Sequence, residues 1–306
     1  MAHYGFSHLD SINDSIRTLY CTLDNSQMML FNRVLNNNDF QGRFSRDPII
    51  QAQHFARRIA EHYRLSIGTV VVSLKDIPNK AAHVELSASS DFFVEVNSQA
   101  VRSSDDLLAV LAHEITHIYL YRIGLLLHDT MQDEILTDTA ATYLGLGTLI
   151  LNAYSEQKRK TDQNMTEFST KWFGYLTPVE FGYILAKRAK KFKDDPVPHL
   201  NRDARDAFYM GLEVLKAEYR LPPFQGATRF ARLRYLWNRR RAANKSKSNE
   251  ALSIAHAKLG YTFVMRDELC VIFRCRSCLQ WLRIPVFRRL ISVRCPTCGY
   301  SYECSP

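Results

Sequence analysis

The chain opens with apolar residues at helical spacing: Ile16, Leu19 and Leu23, then Met28, Met29, Phe31 and Val34, before the polar run Asn36-Asn37-Asn38-Asp39. This pattern predicts one or two helices within residues 1–45. Pro48 starts an amphipathic helix to about Tyr63. Residues 69–74, 83–86 and 92–96 read as short strands, separated by Pro78-Asn79 and by the serine-rich residues 87–91. Ser103 or Ser104, followed by Asp105 and Asp106, predicts the capped start of a helix that reaches Tyr121 and ends at Gly124. A second long helix is expected from Thr130, with Asp133 at capping-box spacing, through Leu151, its later half weakened by Gly145 and Gly147. Residues 178–191 and 202–219 predict further helices. At Leu221 the composition changes: Pro222-Pro223, a basic helix over 228–243 and the polar residues 244–249 mark a boundary and a linker.

At 306 residues and 46% hydrophobic content, the chain can bury one sizeable core and a smaller second module. The longest apolar-rich segment, residues 143–151, is too short to span a bilayer, and residues 1–15 carry neither a basic stretch nor an apolar core. Four of the seven cysteines fall into Cys-x-x-Cys pairs, which favours metal ligation in a reducing compartment over disulfides. A cytoplasmic chain without a membrane partner is therefore expected. Charge is uneven: residues 220–306 carry 17 Lys and Arg against 4 Asp and Glu, a net +13, whereas residues 1–219 are at −4. A basic excess concentrated in one segment predicts a polyanionic partner.

His113-Glu114-Ile115-Thr116-His117 fits His-Glu-x-x-His and falls inside a helix already marked by its cap and stop signals. A spacing of four puts both imidazoles on one helix face, where they can ligate the same zinc, with Glu114 beside it as general base. The flanks, Val110 to Ala112 and Ile118-Tyr119, are uncharged, as a helix buried under a cleft requires. The preferred third ligand is Glu134 in the next helix, with Asp133 and His128 as competitors. Asp138, four residues after Glu134, shares its helix face and is placed to hold a ligand imidazole.

These residues resemble the gluzincin arrangement of zinc peptidases over about residues 47–155. The compact unit of helix, short sheet and two metal-binding helices is similar to the ImmA/IrrE-type peptidases that inactivate bacterial repressors. The segment from Glu134 to Gly147 resembles a branch linked to DNA-damage-responsive control of antiphage operons, whose members pair such a peptidase with a nucleic-acid-sensing region. The chain departs from the family at Thr137-Asp138-Thr139, where Glu-Ala-Asn is usual. The resemblance implies a zinc endopeptidase that cleaves a partner protein, a helix-turn-helix repressor, in response to single-stranded DNA.

Cys275-x-x-Cys278 and Cys295-x-x-Cys298, sixteen residues apart, match the two knuckles of a zinc ribbon and imply a second, structural zinc. Gly299 follows the second knuckle, Leu279 takes the equivalent place after the first, and residues 281–293 alternate enough for a β-hairpin. Arginines interleave here with Phe273, Trp281, Phe287, Tyr300 and Tyr302, and upstream Phe230, Leu233, Leu236 and Trp237 share a helix face. Arg239, Arg240, Arg241, Arg283, Arg288 and Arg289 are the candidate contacts to single-stranded nucleic acid, the rings being available for stacking. Cys21, Cys270 and Cys304 are left over, small core or surface residues unless one thiolate caps the catalytic zinc.

The expected fold is α+β: an N-terminal helical segment (1–45), a mostly helical, zincin-like metallopeptidase domain with a small sheet (46–220), a basic helix and linker (221–249), and a zinc-ribbon module (250–306). Two alternatives stay open. One is a DNA-associated protease acting on DNA-bound or crosslinked proteins, although SprT-like families use a third histidine where this chain offers Glu134. The other is a non-enzymatic zinc-containing nucleic-acid adaptor, which has no use for Glu114.

Overall fold

The computed structural model describes residues 6–41, 47–65, 69–77, 80–86, 91–125, 127, 129–160, 166–246, 259–286 and 289–306. The chain is mixed α/β and divides into two compact units, one reaching Leu212 and one running from Glu213 to Pro306, with Leu23–Asn25 grouped with the second.

In the first unit, helix α1 (Leu9–Thr22) buries Ile12, Ile16 and Leu19, an i, i+4, i+7 stripe. After α2 (Asn25–Met29), helix α3 (Pro48–His62) starts where the Asp47 carboxylate accepts from Ile49 N, with Pro48 supplying a preset φ at its first position. Strands β1 (Thr69–Lys75), β2 (Ala82–Glu85) and β3 (Asp91–Asn97) form a sheet in the order β1-β3-β2, β1 parallel and β2 antiparallel to β3. Val70, Val72, Val84, Phe92, Val94 and Val96 are buried. Helix α3 packs on β1, while α4 (Ser104–Arg122) packs on β2 and β3. Among the described residues strand β2 is an edge of this sheet.

Helix α4 is buried on nearly every side from Asp106 to Leu120, so its apolar residues do not segregate to one face. Ser103 is its N-cap, its hydroxyl accepting from Asp106 N at 3.1 Å. Helix α5 (Thr130–Ala141) packs against both α1 and α4. Its cap is Asp129, whose carboxylate takes the Met131 and Gln132 N–H groups, and not the expected Thr130–Asp133 box. Asp133 instead accepts from Leu127 N.

The long helix predicted from Thr130 to Leu151 is broken. A π-turn (Thr142–Leu146) joins α5 to α6 (Gly147–Asn152), with Gly145 at φ 114°. Helix continuity fails there because the Gly145 backbone is pressed on the loop before it: its carbonyl accepts from Leu35 N at 3.0 Å, and a Cβ would stand 2.6 Å from Arg33 O. The hairpin β4 (Ser155–Lys160) and β5 (Thr166–Lys171) follows, then α7 (Pro178–Phe192) and α8 (Arg202–Tyr219). Helix α7 carries a Thr177–Glu180 capping box and the fully buried Arg188, which donates to Phe31 O and Arg33 O and pairs with Asp194.

In the second unit, α9 (Arg229–Ser246) packs on β6 (Tyr261–Met265) and β7 (Leu269–Arg274), which with β8 (Trp281–Pro285) form an antiparallel sheet in the order β6-β7-β8. Strands β9 (Ile291–Arg294) and β10 (Ser301–Cys304) form a separate pair. The hairpin expected across residues 281–293 is therefore replaced by two others: each Cys-x-x-Cys is itself the turn of a hairpin, β7 to β8 and β9 to β10. Among the described residues no helix is long and apolar enough to cross a membrane.

Gly145→Ala should destabilise the protein by about 2–4 kcal/mol, because a positive-φ penalty adds to the overlap with Arg33 O. Urea unfolding measures this, and a loss below ~0.5 kcal/mol, the range of a neutral surface change, would contradict the packing described.

Candidate metal centre

Helix α4 presents His113 and His117 one turn apart, and α5 brings Glu134 against them. His113 Nε2 lies 3.0 Å from Glu134 Oε2 and 3.1 Å from His117 Nε2, and the third side, His117 Nε2 to Glu134 Oε2, is 3.3 Å. Ligand atoms at tetrahedral angles and ~2.1 Å from a zinc-sized ion stand roughly 3.4 Å apart, so the triangle has nearly the dimensions of one tetrahedral face.

The outer nitrogens decide what points inward. His113 Nδ1 is 2.8 Å from Asp138 Oδ1, and a carboxylate only accepts, so Nδ1 carries the proton. His117 Nδ1 is 3.2 Å from Thr137 Oγ1, whose own hydrogen goes to Asp133 O at 2.9 Å, so here too Nδ1 donates. Both Nε2 lone pairs then face each other and the Glu134 carboxylate. Lone pairs at 3 Å repel unless a proton or a metal cation sits among them.

Electrostatics agree with that demand. Burial opposes a charged His113, but hydrogen bonds to Asp138 and Glu134 outweigh it and raise the imidazole pKa well above its ordinary value. Burial alone would raise the Glu134 carboxyl, yet His113 and His117 hold it down at about 2. The cluster stabilises positive charge at its centre, and a divalent cation fits the donor set of two imidazoles and a carboxylate.

Asp138 is 1% exposed with both oxygens engaged: Oδ1 holds His113, and Oδ2 accepts from Tyr175 N at 2.6 Å and Leu176 N at 3.1 Å. This approach requires Gly174, at φ 99°, where a Cβ would fall 2.7 Å from Asp138 Oδ2. The same contacts carry Tyr175 to the pocket that His113, Glu114, His117 and Glu134 line together with His83, Val84, Val110 and Phe173. Burial raises the Glu114 carboxyl, His113 and His117 draw it down and Glu134 pushes it up, leaving it above the ordinary carboxylate value. A carboxylate so poised accepts protons more readily than a solvated one.

All of His113, Glu114, His117, Glu134 and Asp138 thus meet in one place. Asp133 does not join the ligand triangle; its carboxylate stands 3.9 Å from the outer nitrogen of His117. His128 lies outside the described residues. Gly174, Tyr175 and His83 belong to the site and were not singled out in sequence, and Thr137 was noted only as a departure from the resembled family. Their separations from the His-Glu-x-x-His motif follow no local period, so no spacing rule could have found them.

In the second unit Cys275, Cys278, Cys295 and Cys298 converge, with Sγ–Sγ distances of 3.6 Å for Cys275–Cys298 and for Cys278–Cys295. That is far beyond a disulfide and close to the roughly 3.8 Å edge of a tetrahedron of thiolates at ~2.3 Å from an ion. Both knuckles turn alike: Leu279 N and Gly299 N donate to Cys275 O and Cys295 O at 2.9 Å, and Leu279 accepts φ 61° where Gly299 has 69°. Tyr302 Oη accepts from Ser277 N at 3.0 Å and lies 2.8 Å from Cys275 Sγ, its hydrogen left for the sulfur. Arg276 lies over Phe224 and Tyr219 and donates to Glu218 O and Leu221 O, tying the first knuckle to the end of α8.

The expected stacking rings are redistributed. Phe273 and Tyr302 are core residues, Phe287 lies outside the described residues, and Trp281 is exposed with Arg274 stacked on it. Helix α9 turns Tyr235, Asn238 and Ala242 inward and leaves Phe230, Leu233 and Trp237 at 86%, 65% and 57% exposure. Arg240, Arg241, Arg283 and Arg289 are exposed, Arg241 lying over Trp237. Arg239 is committed to Pro306 O at 2.8 Å, and Arg288 lies outside the described residues. Cys270 and Cys304 are buried, and burial pushes the Cys304 thiol up to about 12, opposite to a ligating thiolate. Cys21 is exposed on α1.

No family model, curated protein or solved structure matches the chain.

Gly174→Ala should lower divalent-metal affinity at the histidine site by about tenfold or more, because it displaces the carboxylate that holds His113. Titration against a competing chelator reads this, and unchanged affinity would show that Asp138 does not set the ligand.

Proposed function

We propose that the chain is a zinc-dependent endopeptidase of the gluzincin type, similar to the ImmA/IrrE-type peptidases, with a zincin-like catalytic domain and a structural zinc ribbon. The observation that carries this reading is the convergence of His113, His117 and Glu134 on one point beside the buried Glu114. Glu134 in the triangle favours it over a DNA-crosslink protease with a third histidine. Glu114 in the same pocket favours it over an adaptor, since a structural site needs no base.

A zinc ion held by His113, His117 and Glu134 would supply Lewis-acid activation of a water and of a peptide carbonyl. Glu114 takes a proton from the water as its oxygen bonds to the carbonyl carbon, then delivers that proton to the amide nitrogen as the C–N bond breaks. Tyr175 is the donor we assign to the developing oxyanion. Burial and the carboxylates Glu134, Asp138 and Glu114 raise its phenol pKa, so the donor proton stays in place. Strand β2 supports a peptide substrate: it is a sheet edge whose Ala82, His83 and Val84 line the pocket, ready to pair with an extended segment.

The substrate we assign is a partner protein, a helix-turn-helix repressor, with cleavage stimulated by single-stranded DNA at the basic second unit. The exposed rings of α9 beside Arg240 and Arg241 support that ligand, because unpaired bases offer faces to stack on while guanidinium groups meet phosphate. The absence of disulfides among the seven cysteines suits a reducing, cytoplasmic setting.

Glu114→Gln should retain zinc yet abolish cleavage of a proteome-derived peptide library, read as new termini by mass spectrometry. Tyr175→Phe should retain zinc and lower kcat about 10²-fold, the usual cost of one oxyanion donor. Full activity in Glu114→Gln would sink the peptidase reading. Single-stranded oligonucleotide should bind with steep salt dependence and accelerate cleavage, and Trp237→Ala with Arg241→Glu should weaken both; equal rates without nucleic acid, with single strands and with duplex would remove the sensor.

A further inference from the structure

The two imidazoles of the metal centre are held differently. His113 leans on the carboxylate of Asp138, but the group within reach of His117 Nδ1 is the Thr137 hydroxyl at 3.2 Å. Asp133 is the other candidate, and geometry dismisses it: its carboxylate is 3.9 Å away, and its Oδ1 accepts from Leu127 N at 3.0 Å. A helical threonine commonly bonds the carbonyl four residues back, and Thr137 does so with Asp133 O at 2.9 Å. That bond has a consequence for the ring. It consumes the only hydrogen on Oγ1, and a hydroxyl that is already donating can only accept from its second neighbour.

We infer that Thr137 is a positioning residue of the metal centre, its hydroxyl accepting the Nδ1 proton of His117 and thereby turning the Nε2 lone pair to the ion. The inference rests on the reading of His113, His117 and Glu134 as ligands. It assigns a role to the position at which the chain departs from its resembled family. Thr137 is fully buried, so no water competes for the acceptor site. A neutral hydroxyl polarises an imidazole less than a carboxylate does, which makes His117 the weaker of the two nitrogen ligands.

The test uses the full chain as wild type, Thr137→Val, Thr137→Ser and Asp133→Asn. Valine keeps the shape and removes the hydroxyl, acceptor to His117 and donor to Asp133 O alike, and serine restores both. Histidine ¹⁵N spectra of the metal-free protein should show His117 as the Nδ1–H tautomer in wild type and Thr137→Ser, and as a tautomer mixture in Thr137→Val. Chelator competition should show zinc bound about tenfold or more weakly by Thr137→Val, and near wild-type affinity in Thr137→Ser and Asp133→Asn. Wild-type tautomer and affinity in Thr137→Val, or equal losses in the serine and valine variants, would overturn the assignment. His113→Ala separates the two levels: if it kept high-affinity zinc at this site, the metal-centre reading would fail, while the tautomer spectra would still decide the role of Thr137.

Discussion

Three donor atoms crowded around one point form the constraint on which the first unit is built. His113 Nε2, His117 Nε2 and Glu134 Oε2 stand 3.0 to 3.3 Å apart, each ring's proton being committed to the far side by Asp138 or Thr137. Such a cluster is repulsive in a low-dielectric interior unless a proton or a metal cation joins it. The surroundings serve to hold it. The apolar α4 is buried on nearly all sides, so its two histidines have no freedom to swing into water. Asp138 survives at 1% exposure because both of its oxygens are matched by donors, His113 on one and two backbone N–H groups on the other.

The same carboxylate links the His113 imidazole to the neighbouring pocket. Oδ2 of Asp138 anchors the backbone of Tyr175 and Leu176, and the close approach is possible only because residue 174 is glycine. One buried side chain therefore fixes both the His113 imidazole and the backbone of Tyr175, whose phenol is the one proposed to meet the oxyanion. The four-cysteine cluster follows an analogous rule on a smaller scale. Its four thiols are placed by two hairpin turns of one conformation, and Leu279 adopts at the first the positive φ that Gly299 provides at the second, a strain of roughly 1–2 kcal/mol tolerated because its side chain is buried.

What could be read in sequence were features with a local period. The Ser103 cap, the i, i+4 histidines, Glu134 with Asp138, and the paired cysteine knuckles each declare themselves within five residues, and each falls where expected. Long-range geometry was not legible. Thr137 acts across twenty residues and Tyr175 across thirty-seven from its anchor, neither at a spacing that helical or strand periodicity encodes. The break at Gly145 was signalled by its glycines, but its cause, the approach of Arg33 O, was not. Alternation over residues 281–293 suggested one hairpin because pattern matching cannot say which partner a strand takes; the knuckles decide that by reversing the chain at each cysteine pair. Likewise the apolar face of α9 was visible, but not that Phe230 and Trp237 remain outside while Tyr235 packs within.

Anomalous diffraction at the zinc absorption edge from crystals of the full chain would show whether the zinc ion proposed among His113, His117 and Glu134 is there. Two peaks are expected, one among the four cysteine sulfurs and one about 2.1 Å from His113 Nε2, His117 Nε2 and a Glu134 oxygen. A single peak at the cysteines, in protein purified without chelator, would contradict the proposal.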